Sequence, residues 1–282
     1  MDLEGKVAIV TGGGSGISLE FVKLLHGKNC SVVIGDLALT DKAEEFLKTA
    51  SASPKVLFKK TDVTDWKQLA ALFEYTEQQL GLPDVVCPGA GVFEPVWSSF
   101  WGDTEEQGYK HHQINIEHPT KLTRLAIRAF LKGRKPGIVL HISSMAGQVT
   151  RLGLPLYNSS KGYINHFVRQ FELMSQENIR VMAVAPGLVN TPLWHVANPE
   201  KLKMVGESMV WLQPKDIADV MLAMCESAEY ESGDVVEASL PGVTRKVVMY
   251  NDPGPAGMAA GKSTNMEVEK DVFELMQKEK GL

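Results

Sequence analysis

Short apolar runs that end at glycine alternate along this chain with stretches whose apolar positions recur every three or four residues. Val7-Ala8-Ile9-Val10 is the first such run, continuous enough to read as a strand buried on both faces of a parallel sheet. After Thr11 it meets Gly12, Gly13, Gly14 and Gly16, and Leu19, Val22, Leu24 and Leu25 then recur with helical spacing. Further strand-like runs lie at 31–34, 56–58, 85–86, 137–142, 181–185 and 234–237. Helices are expected over about 66–80, 104–131 and 157–176. The alternation predicts an α/β fold, a doubly wound parallel sheet of about seven strands with helices on both faces. No internal repeat or linker splits it. Residues 1–250 read as one domain and 251–282 as a C-terminal extension, which is Gly/Pro/Ala-rich over 251–262 and a short charged helix over 266–280.

The glycine turn is the first candidate for chemistry. Unpaired N–H groups at the start of a helix carry the positive end of its dipole, so a turn at Gly12, Gly14, Ser15, Gly16 and Ile17 offers an anion site without a cationic side chain. Glycine clusters also make plain surface turns. The strict G-x-G-x-x-G spacing fails here, because its last position, counted from Gly12, is Ile17. Asp36 lies twenty positions after Gly16, at the end of the second strand, where a nucleotide-binding β-α-β unit places the acid that accepts from an adenosine ribose hydroxyl. Neither Ser15 nor Leu37 supplies a cation for a 2′-phosphate, so NAD is the expected cofactor. The competing role for Asp36 is to cap a helix starting near Thr40.

Composition narrows the partners. Of 282 residues 44% are hydrophobic and 22% charged, and a net charge of −5 with no basic run argues against nucleic acid or an anionic membrane. Met1-Asp2-Leu3-Glu4 lacks the basic and apolar regions of a secretion signal, no apolar run reaches membrane-spanning length, and a cytoplasmic location is expected. Cys30, Cys87 and Cys225 share no short spacing and indicate neither a disulfide framework nor a zinc site. No metal is expected. Adjacent His111 and His112 point to different sides of a helix and make a poor metal pair, and His141, in a strand, reads as structural.

The order and spacing of several motifs together resemble the short-chain dehydrogenase/reductase family across roughly residues 3–242. Thr11-Gly12 with Gly16 resembles its glycine turn, Asp62-Val63 its adenine-contacting pair, Ala90-Gly91 the end of its Asn-Asn-Ala-Gly motif, and Asn115 its helix asparagine. Ser144, Tyr157 and Lys161 fall where the family keeps its catalytic serine, tyrosine and lysine. The segment Pro186, Gly187, Val189 and Thr191 resembles the part that binds the nicotinamide side of the cofactor. Within the family the chain is similar to fungal members near 15-hydroxyprostaglandin and 5′-hydroxyaverantin dehydrogenases. The resemblance implies a single-domain Rossmann-type fold, a mobile substrate lid at about 188–213, and a homodimer or homotetramer formed through the helices around 104–131 and 157–176. Two positions depart from the pattern. Ser18 stands at the third glycine, and Pro88-Gly89 replaces the two asparagines, so Pro88 offers neither side-chain amide nor N–H.

The residue types suit hydride chemistry on a secondary alcohol. Its hydroxyl proton needs a base, and a tyrosine with a pKa near 10 is a poor one at neutral pH. Lys161, one helical turn after Tyr157, is expected to lower that pKa and to reach a nicotinamide ribose. Ser144 would hydrogen-bond the substrate oxygen, and Asn115 would support Lys161. In the lid, Trp194, Met204 and neighbouring large apolar side chains, with Met145, Leu152 and Leu154 between Ser144 and Tyr157, are the expected substrate wall. Such a wall favours a bulky hydrophobic alcohol or ketone over a sugar or acid. Rival readings are a dehydratase or epimerase on the same fold, an NADP-dependent ketoreductase, and a non-catalytic nucleotide-binding protein.

Overall fold

The computed structural model describes residues 1–206, 209–248, 273–274 and 276–281. Strands β1 (Val7–Thr11), β2 (Ser31–Asp36), β3 (Val56–Lys60), β4 (Val85–Pro88), β5 (Gly137–Ile142), β6 (Ile179–Pro186), β7 (Val235–Leu240) and β8 (Val243–Lys246) form one sheet. Their spatial order is β3-β2-β1-β4-β5-β6-β7-β8, with β1 to β7 parallel and β8 antiparallel to β7. The helices are α1 (Gly16–Gly27), α2 (Asp41–Thr49), α3 (Trp66–Leu80), α4 (Lys110–His112), α5 (His118–Gly133), α6 (Pro155–Arg169), α7 (Pro192–His195) and α8 (Pro214–Glu226).

The apolar runs become central strands because both faces of the sheet are covered. Successive side chains of β1 go to opposite sides. Ala8 and Val10 join Phe21, Leu25, Ile217 and Met221 under α1 and α8. Ile9 joins Leu72, Leu122, Phe130 and Ile164 under α3, α5 and α6. Strand order reverses between β1 and β4, and in such sheets a crevice opens there, outside the carboxyl ends of the strands.

Several boundaries differ from the sequence reading. The helix expected from about 104 begins only at Lys110, because Gly108, at φ +99°, breaks the helical path just before it. Between α4 and α5 the chain makes a π-turn at Gln113–Glu117. The helix expected over 157–176 starts at Pro155, ends at Arg169 and is followed by a 3₁₀ turn at Glu172–Glu177. The eighth strand carries no buried position, so no apolar run announces it. Of the C-terminal extension, 251–272 lies outside the described residues, and 273–274 and 276–279 are helical. Glu279 pairs with Arg124 of α5, and Lys280 with Glu177. Among the described residues no helix is long and apolar enough to cross a membrane.

Candidate active site

The turn after β1 is built on backbone geometry that side chains would obstruct. Gly12 has φ +67°, and a β-carbon there would lie 2.6 Å from Ala90 Cα. Gly14 donates its N–H to Asp36 Oδ2 at 2.9 Å, and a β-carbon on it would meet Ala38 O at 2.6 Å. Ser15 is the N-cap of α1 but makes no side-chain capping bond, so the positive end of the helix faces the crevice uncapped. The second Asp36 oxygen accepts from Leu37 N at 2.7 Å. Burial pushes the Asp36 carboxyl above its ordinary value, while the N–H groups of Gly14 and Leu37 pull it back. Asp36 caps no helix; Thr40 caps α2 by accepting from Ala43 N.

The two departures from the family pattern meet in space. Ser18 is buried, and its hydroxymethyl fills the space a side chain on Gly89 would need; a β-carbon on Gly89 would also lie 2.7 Å from Thr11 O. Pro88 closes β4 opposite Thr11, and Thr11 Oγ1 receives the Gly89 N–H at 3.1 Å. Asp62 is held by Thr64, whose N–H and hydroxyl both donate to Oδ1, and its pKa is lowered by those bonds against the opposing effect of burial. Lys110 Nζ, donating to Thr64 Oγ1 at 2.9 Å, lies on the same side of the crevice.

Asn115 sits in the π-turn, a backbone irregularity that often marks functional positions in helices. It clamps the main chain of Val92, accepting from its N–H at 2.9 Å and donating to its carbonyl at 2.8 Å. It makes no direct hydrogen bond to Lys161. Both flank Gly91, where a β-carbon would be 3.5 Å from Asn115 Oδ1 and 4.0 Å from Lys161 Nζ.

Ser144 leaves β5 and caps a short 3₁₀ turn, while Tyr157 and Lys161 lie one turn apart on α6. The Ser144 hydroxyl donates to Pro186 O at 3.4 Å and lies close enough to the Tyr157 phenol to lower its pKa. Lys161 Nζ stands 5.6 Å from the centre of the Tyr157 ring and donates to Ile142 O at 2.8 Å. Burial pushes the Lys161 ammonium down to about 8. The Tyr157 hydroxyl departs from the sequence reading: burial pushes it up to about 12, with Ser144 acting the other way.

These elements enclose a cavity of about 750 Å³ that runs from Asp36 and Asp62 to Tyr157 and Trp194. Of the expected cofactor positions, Gly12, Ser15, Gly16, Ile17, Val63, Ala90, Gly91, Pro186, Gly187, Val189 and Thr191 also line it, while Gly14 stands behind Asp36. Of Met145, Leu152, Leu154, Trp194 and Met204, Trp194 alone lines it. Leu154 is buried in the core, Leu152 is exposed, and Met145 and Met204 lie outside the lining. The neighbouring lid side chains Leu193 and Val196 line it as expected, and so do Trp97 and Val92, which the sequence did not single out. Glu94, buried, also went unnoticed in the sequence; its partner Tyr157 is 63 positions away.

A family model described as short chain dehydrogenase matches residues 6–202. The chain is 28% identical over 247 residues to the 7alpha-hydroxysteroid dehydrogenase of Escherichia coli (strain K12), spanning 86% of this chain and 95% of that protein. It is 29% identical over 229 residues to the 15-hydroxyprostaglandin dehydrogenase (NAD(+)) of Mus musculus, spanning 79% and 80%. The crystal structure of gox2181 aligns with a TM-score of 0.73 at 25% identity, covering 84% of this chain and 95% of that one. With the match running through more than half its length, this chain belongs to the short-chain dehydrogenase family of oxidoreductases.

Proposed function

We propose that the protein is an NAD-dependent oxidoreductase that interconverts a bulky hydrophobic secondary alcohol and its ketone by hydride transfer, with Tyr157 as general acid and base. The observation that carries this reading is that Ser144, Tyr157 and Lys161 line one cavity together with the glycine turn and Asp36. The residues fit a nicotinamide dinucleotide. The uncapped start of α1 suits a pyrophosphate, the Asp36 carboxylate a ribose diol, and the segment from Pro186 to Thr191 the nicotinamide side. When bound, such a group supplies the hydride carrier and, in its oxidised form, a positive ring charge.

The protein side of the chemistry is a proton at one oxygen. With its pKa near 12 the Tyr157 hydroxyl keeps its proton at neutral pH and is ready to donate it to a ketone oxygen. Acting as base toward an alcohol needs positive charge nearby, and the Lys161 ammonium supplies part of it. Ser144, lining the cavity beside the phenol, stabilises charge on the substrate oxygen. At the lid end the lining is Trp97, Leu193, Trp194 and Val196, which favours an apolar guest because it cannot pair sugar hydroxyls or carboxylates once water leaves. Relatives named for steroid and prostaglandin substrates support this size class.

Tyr157→Phe should lower turnover by roughly a hundredfold or more while the NAD dissociation constant stays within about twofold. Assays of alcohols and ketones with both cofactors should favour large apolar compounds over polyols and hydroxy acids. Near-normal turnover of Tyr157→Phe, or a preference for polyols, would overturn the reading.

A further inference from the structure

The loop between β4 and α4 carries a carboxylate that reaches the catalytic helix. Glu94 is buried and holds φ +43°, a left-handed backbone conformation unusual for a residue with a side chain. Its Oε2 accepts the backbone N–H of Tyr157 at 2.9 Å, and its Oε1 accepts the N–H of Phe100 at 3.2 Å. Helix α6 opens with Pro155, which has no N–H, and its N-cap Leu154 has no capping side chain. Glu94 therefore caps α6 from 63 residues away, at the residue whose side chain lines the cavity.

The same residue touches the lid. Lys201, in the 3₁₀ turn Pro199–Met204, donates to the Glu94 carbonyl at 2.9 Å and to Asn198 Oδ1 at 2.7 Å. Its ammonium lies 5.2 Å from the centre of the Phe93 ring. That ring packs at 4.6 Å against both Tyr157 and the lid's Trp194. One dipeptide, Phe93-Glu94, thus joins the N-terminus of the catalytic helix to two points on the lid.

We infer that Glu94 is a positioning residue for Tyr157, and that its link through Lys201 sets the closed position of the lid over the substrate. The inference rests on the proposed role of Tyr157. A carboxylate is required because both oxygens receive a backbone N–H; an amide accepts only one and turns its own N–H₂ toward the other. Lys201 acts on the main-chain oxygen instead, so its loss frees the lid while leaving the cap of α6 in place.

The two roles predict different kinetics, measured on the full chain with thermal unfolding as the check on folding. Glu94→Gln should lower kcat between about tenfold and a hundredfold, the range expected from small misplacement of a reacting group, with NAD binding unchanged. Lys201→Met should raise KM for large apolar substrates about tenfold and change kcat less than threefold. If Tyr157→Phe abolishes turnover while a folded Glu94→Gln matches the unmodified protein, the positioning role is wrong and the proposed chemistry stands. If Tyr157→Phe stays active, the chemistry itself is wrong. Should Glu94→Gln fail to fold, Lys201→Met decides: an unchanged KM overturns the inference, and a raised KM with kcat kept supports it.

Discussion

Lowering the pH from 7 to 5.5 should destabilise this protein through three buried histidines that hold the site together. His118 lies between Thr11 Oγ1 at the end of β1 and Ile114 O of the π-turn. His111 Nε2 lies 3.1 Å from Asn115 Nδ2, which donates to it, so a proton there would face an amide N–H. His141 Nε2 meets Thr123 Oγ1, and its Nδ1 has no partner. Burial pushes their pKa values down, to about 4 for His118 and about 3 for His111 and His141. All three are neutral when folded, so their contribution is complete above the unfolded value of about 6.5 and is lost as pH falls below it, toward the folded values. Between pH 7 and 5.5 each costs about 1.3 kcal/mol, hence ~4 kcal/mol for the three, against a total stability of about 5–15 kcal/mol. Urea unfolding at the two pH values, followed by tryptophan fluorescence, measures this directly. His141→Leu should remove about one third of the pH dependence. Equal midpoints at both pH values would refute the argument, since carboxylates titrate mostly below this window.

Other expectations follow from single contacts. NAD should bind at least about tenfold more tightly than NADP, or ~1.4 kcal/mol, because the Asp36 carboxylate repels a 2′-phosphate; Asp36→Ala should narrow the gap, and equal affinities by calorimetry would contradict it. Gly89→Ala should destabilise the fold by about 1–3 kcal/mol through overpacking against Ser18 and Thr11, and adding Ser18→Gly should restore part of the loss; an unchanged melting temperature in the single variant would count against this. Light scattering at micromolar concentration should report at least a homodimer with two-fold symmetry, built on the faces of α5 and α6, and a monomer would reject that expectation.

Residues whose partners are close in sequence were legible before the structure. The strand, glycine turn and helix from Val7 to Gly27 are one local unit, and Asp36 reaches Gly14 across a single β-α-β crossover. Tyr157 and Lys161 share a helical face by spacing alone. Long-range partners were not legible. Glu94 meets Tyr157 and Lys201 at separations of 63 and 107 residues, and nothing around it in the sequence signals a cap. Residue type also leaves direction open. Leu154 and Trp194 are both large and apolar, yet one turns into the core and the other lines the cavity. The phenol illustrates a third limit: the neighbouring Lys161 was visible in the chain, whereas the burial that raises the phenol's pKa was not.

The outer borders of the sheet bear on how copies of this chain meet. At one border β3 ends in Lys59-Lys60, and at the other the short, fully exposed β8 carries Arg245-Lys246. An open strand edge is a template for a neighbouring chain, and a row of cations on it repels an identical row. At the β8 border these cations are paired within the chain, Arg245 with Glu237 and Lys246 with Asp234, so the uncompensated charge that opposes strand-to-strand pairing stands on Lys59 and Lys60 of β3. Edge-to-edge pairing of copies should therefore be disfavoured at the β3 border.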